Sequence, residues 1–111
     1  EVDGPFDWLK VVEDQAAAFI DFAASRHTLG GAVFHADFAE RKPLADNGVM
    51  RLTAVIRAGQ EAEAFGPVAP EPTARLLFAV IHDAADAVAA GADRTATVEA
   101  LKHILRRTLA P

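Results

Sequence analysis

The sequence predicts an all-α domain of about five helices. Three observations carry that reading: alanine is abundant, β-branched residues are few, and strict apolar–polar alternation over four or more positions is hard to find. At 111 residues the chain reads as a single domain, residues 1–111, with one core and no room for a second. Apolar residues make up 51% of it, with 7 Phe, 1 Trp and no Tyr, which implies a largely apolar interior, a subunit interface, or both.

The elements follow from punctuation and spacing. The first helix is expected from about Asp7 to Ser25, with Asp7 as the cap. Trp8, Val12, Ala16, Phe19 and Ala23 recur at helical spacing on it, Leu9, Ile20 and Phe22 widen the stripe, and Lys10, Glu13, Asp14 and Asp21 form the wet side. A second, short helix is expected over Thr28–Asp37, weakened by Gly30-Gly31, since each glycine costs about 1 kcal/mol against alanine. Pro43 opens the third at its first position, and Leu44, Val49, Met50, Leu52, Val55 and Ile56 carry it to Ala64, ending near Phe65-Gly66, with Asn47-Gly48 as a break. GPVAPEP, Gly66–Pro72, reads as the clearest loop, after which Pro72 and Thr73 launch a fourth helix that stops at Gly91. Asp93 or Thr95 caps the last helix, which runs to about Leu109 with Val98, Leu101, Ile104, Leu105 and Thr108 as its stripe.

Charge and composition exclude several function classes. With 11 Lys+Arg against 16 Asp+Glu and a net charge of −5, the chain itself has no electrostatic footprint for nucleic acid or an anionic membrane. Cysteine is absent, so disulfides and thiolate chemistry are out, and a zinc site would need His and carboxylates alone. The longest strongly apolar run, Leu76–Ile81, is far short of the roughly 20 residues of a membrane span, and EVDGPFDW lacks the pattern of a secretion signal. The expected setting is the cytoplasm, with no cofactor and no membrane partner.

The fourth helix holds the one stretch that invites a chemical reading, RLLFAVIHDAADAVAAG. At about 100° per residue, Arg75, Ala79, His82, Asp83 and Asp86 share roughly a third of its circumference, and the rest is apolar. A polar stripe that narrow belongs to a helix buried on most sides, hence the central one. Its alanine-rich second half invites close approach by another helix, from the same or a second subunit. His82 with Asp83, Asp86 and His35 is one alternative, a small helical metal-dependent hydrolase, but His82 and Asp86 supply two ligands where catalytic zinc usually takes three. The other alternative is a polar edge in which His82 makes an interior hydrogen bond and the aspartates pair with Arg75 or a neighbouring subunit. No serine or cysteine nucleophile stands beside a base, and no phosphate-cradling glycine loop exists. Trp8, Phe19, Phe22, Phe34, Phe38, Phe65 and Phe78, with Met50, suit an apolar cavity between helices. His82, His35, Thr53 or Gln60 would orient a guest there.

The succession FIDFAASRHTLGGAVFH, then NGVMRLTAVIRAGQEAEAFGPVAPEPTARLLFAVIHDAADAVAAGADR, then a closing amphipathic helix resembles the C-terminal regulatory domain of TetR-family transcriptional repressors. Ile56, Gly59, Gln60 and Phe65 match that family's helix-end pattern I-x-x-G-Q-x-x-G-x-F, while Glu63 stands where a glycine is common, so the turn is expected to start later. The resemblance implies an effector pocket and a homodimer formed by the last two helices of each subunit. It also implies a separate N-terminal helix-turn-helix that binds DNA and is not in this chain, so the sequence reads as an excised, non-catalytic domain. The pocket is expected to use Trp8, Phe22, Phe34, Phe38, Met50, Thr53, Phe78 and His82. The dimer is expected to use Val80, Ala84, Ala87, Val88, Leu101, Ile104, Leu105 and Thr108. A helical protein-interaction module is the third reading that these residues leave open.

Overall fold

A computed structural model describes the backbone of residues 7–30 and 38–111 and the side chains of residues 7–25 and 47–111. Among the described residues the chain forms helices α1 (Trp8–Gly30), α2 (Phe38–Glu61), α3 (Pro70–Ala89) and α4 (Arg94–Leu109), and no strand. No helix of the described residues is long and apolar enough to cross a membrane.

Asp7 caps α1, its Oδ1 accepting from the Lys10 amide at 3.0 Å. The helix then runs past Ser25 to Gly30, because nothing between them breaks it. The expected short helix from Thr28 therefore starts inside α1, and the rest of it, residues 31–37, lies outside the described residues. Val12, Ala16, Ile20 and Ala23 form the buried stripe of α1, so Ile20 takes the central place and Phe22 is left 56% exposed. Glu13, expected on the wet side, is instead buried where Arg106 reaches it at 2.9 Å.

Helix α2 starts at Phe38, five residues before Pro43. Pro43 is thus its sixth residue, where a proline removes one i→i−4 hydrogen bond and crowds the carbonyl one turn back; such a residue can bend a helix without ending it, so it marks a helix start less firmly than its preference for the first position implies. Asn47-Gly48 does not break α2 either. The absent side chain of Gly48 is a notch: a Cβ there would lie 2.9 Å from Phe78 Cζ and closer still to Cε1, so the ring of α3 occupies that space.

The end of α2 falls at Glu61, earlier than expected. Glu63 takes φ 60°, the left-handed conformation that glycine adopts readily, and its amide donates to Gln60 O at 2.9 Å while that of Ala64 donates to Gly59 O at 2.8 Å. That hydrogen-bond pair is a Schellman turn with glutamate at the glycine position, so the turn begins without waiting for Gly66. Phe65 folds back over Gly59, filling the space of its missing Cβ.

Pro70, read from sequence as a loop residue, and Pro72, expected to launch the helix, both lie in the first turn of α3, where amides lack intrahelical acceptors anyway. At its other end Gly91, at φ 111°, closes a second Schellman turn through Ala92 N to Ala87 O at 2.9 Å. Asp93 then caps α4 by accepting from Ala96 N at 2.9 Å.

Helix α3 packs against α1, α2 and α4, as its apolar circumference predicts. Ala74, Leu77, Ile81 and Ala85 are its buried residues, and Val98, Leu101, Leu105 and Leu109 are those of α4. Two ion pairs fasten α1 antiparallel to α4: Glu13 to Arg106 near one end, and Asp21 to Arg94 through contacts of 2.6 and 3.0 Å near the other. The hydrogen bond from Arg94 holds the Asp21 carboxyl below its ordinary range and raises Arg94 in return.

Candidate functional site

On the seam between α1 and α3, Phe19, Phe78 and His82 form a triangle of rings. Their centroids are 5.9 Å apart for the two phenylalanines, 5.8 Å for Phe19–His82 and 6.2 Å for Phe78–His82, with tilts of 42–52°. Those separations lie within the range in which aromatic edges and faces attract. Phe78 and His82 are one turn apart on α3, which puts both on the flank that meets Phe19. Asp86, another turn along, brings Oδ2 to 3.5 Å from His82 Nδ1, with both side chains partly exposed. The site is thus an aromatic cluster with an imidazole–carboxylate pair at its edge, an apolar surface next to a polar contact.

Only part of the predicted pocket converges here. Phe78 and His82 belong to the triangle. Trp8 is half-buried near the start of α1, about 16 Å along the helix from Phe19. Phe22 and Met50, 56% and 67% exposed, are surface residues among the described side chains. Thr53 is buried, and its hydroxyl donates to Val49 O at 2.7 Å within α2. Phe34 and His35 lie outside the described residues, as does the side chain of Phe38. Gln60 is engaged too: its amide donates to Gly66 O at 2.9 Å and Val68 O at 2.7 Å, stitching the α2–α3 loop. That loop, with Gln60, Glu63 and Pro111, lines a shallow, open depression.

The expected pocket set omitted Phe19 and Gly48, although Phe19 stood among the aromatics that suit an apolar cavity. Gly48 looked like a helix breaker, because its partner Phe78 lies thirty positions further on.

The expected dimer residues divide in the same way. Leu101 and Leu105 are 3% and 0% exposed and belong to the subunit's own core, so they have no surface to give a partner. Ile104 is 42% exposed, and Val80, Ala84, Ala87, Val88 and Thr108 are half-buried. Leu76, 70% exposed, is the large apolar residue on α3 that the expected set omitted.

Arg75, one of the two partners expected for the aspartates beside a neighbouring subunit, instead bonds to Glu71 at 3.1 Å, one turn back on the same helix. Among the described residues no three His, Asp or Glu side chains come together as a metal-binding group. Compared with known proteins, the chain matches no family model, no curated sequence and no solved structure.

Proposed function

We propose that this chain is the effector-binding and dimerisation domain of a TetR-like transcriptional repressor acting in the cytoplasm. The observation that carries the reading is the triangle of Phe19, Phe78 and His82 with Asp86 beside it, an aromatic site with a polar edge on the seam of the central helix. The helix end supports the family assignment: Glu63, standing where the pattern commonly has glycine, adopts the left-handed φ of 60°, and Phe65 covers Gly59. A small apolar or aromatic guest binds at the triangle and alters how helix-turn-helix heads, carried on a separate N-terminal domain, are spaced on DNA. The outer edges of α3 and α4, with Leu76, Val80, Ala84, Ala87 and Ile104, supply the homodimer contact.

Thermal-shift screening of a library of small aromatic and aliphatic compounds tests the reading. A guest that raises the melting temperature of the wild type, and does so less in His82→Ala and Phe78→Leu, supports it. A library with no such guest, together with an upstream coding sequence lacking a helix-turn-helix, overturns it.

A further inference from the structure

Phe78 belongs to two contacts at once. One edge of its ring closes the triangle with Phe19 and His82, at 5.9 and 6.2 Å between centroids. The other fills the notch at Gly48 of α2, where even a methyl group would collide with Cε1 and Cζ. Helix α1 packs chiefly on α3 and is also fastened to α4 by the Glu13–Arg106 and Asp21–Arg94 pairs, whereas among the described residues α2 packs chiefly on α3 and only lightly on α1. The far end of α2 is held as well: Phe65 covers Gly59, Gln60 stitches the loop, and Gly66 N donates to Leu109 O at 2.8 Å.

From this we infer that Phe78 is a relay: displacing its ring at the triangle changes how α2 sits on α3 around Gly48, while α1, α4 and the loop stay in place. Packed interiors respond to a displaced ring by moving to another discrete arrangement, because they are too dense to absorb it locally. The inference rests on the proposed effector reading, for which it supplies a route from guest to helix. Its test needs neither guest nor DNA, so the two can fail separately.

Amide hydrogen exchange on the full chain reads the coupling. Phe19→Leu disturbs the triangle from α1 without altering the Gly48 notch. Exchange over residues 47–56 of α2 is expected to rise about fivefold more than over residues 98–109 of α4. Ile20→Val, a core change on the same helix outside the triangle, is the control and should raise the two segments together. In a Gly48→Ala background, where the ring is already expelled from the notch, Phe19→Leu should no longer separate them. Phe78→Leu, which vacates the notch while keeping an apolar side chain, serves the same purpose if Gly48→Ala does not fold. Equal acceleration of α2 and α4 in Phe19→Leu, or an effect that persists in the notch variant, overturns the relay.

Discussion

Glu63 holds a conformation that costs an L-residue energy and glycine almost none, so Glu63→Gly is expected to stabilise the fold by about 0.5–1 kcal/mol in urea denaturation. The gain is limited because glycine also has more freedom to lose on folding. Gly48 is the opposite case. Gly48→Ala improves helix propensity but drives a methyl group into the Phe78 ring, and overpacking of that kind costs about 1–3 kcal/mol. The exposed neighbour Asn47 is the comparison: Asn47→Ala should stay within about 0.5 kcal/mol of the wild type. Equal effects at the two positions would show that the notch is not tight.

Among the elements, α1 and α4 are held together by side chains whose ionisation can be titrated. Asp21 sits below its ordinary carboxyl value of 3.8 in the fold because Arg94 donates to it. Its contribution to stability is therefore present above the unfolded value and is lost as pH falls through the folded one. The melting-temperature difference between the wild type and Asp21→Asn should be constant near neutrality and shrink in acid below that carboxyl value. Because both side chains are about half exposed, it should also shrink with added salt. Arg106→Ala has a different consequence, since it strips the partner from the nearly buried Glu13. A cost of about 1 kcal/mol is expected, modest because Arg106 is itself 59% exposed. These elements also show what the sequence could reveal. A cap at Asp93 or Thr95, of which Asp93 fills the place, the stop at Gly91 and the stripe of α4 were legible because local chemistry and periodicity agree there. Pro43, Gly48 and Pro70 misled because whether such a residue breaks a helix depends on where it falls in the helix and what packs against it. Leu101 and Leu105 were mistaken for surface because the inner and outer edges of one helical stripe share a period and differ only in what lies across from them.

For the whole molecule, the apolar residues left outside are the informative ones. Leu76 and Ile104 are 70% and 42% exposed on α3 and α4, the helices expected to pair across a dimer axis. Light scattering at tens of micromolar should give a dimer, and Leu76→Glu with Ile104→Glu should give a folded monomer, since both positions lie outside the subunit core. A monomeric wild type would remove the dimer half of the proposed function. The site itself was legible as chemistry and illegible as place: an excess of aromatics around one histidine is visible in sequence, but which of them meet depends on how α1 and α3 pack. The fastening of the proline-rich loop has a mechanical consequence. With Phe65 packed over Gly59 and the loop tied to Leu109, the proposed relay would turn α2 as a lever whose fulcrum lies at its C-terminal end. Gly48 is about 16 Å up the helix from that fulcrum and Phe38 about 31 Å, so a tilt of about 3° moves them by about 1 Å and nearly 2 Å. A small yielding of one ring is thus magnified toward the start of the helix.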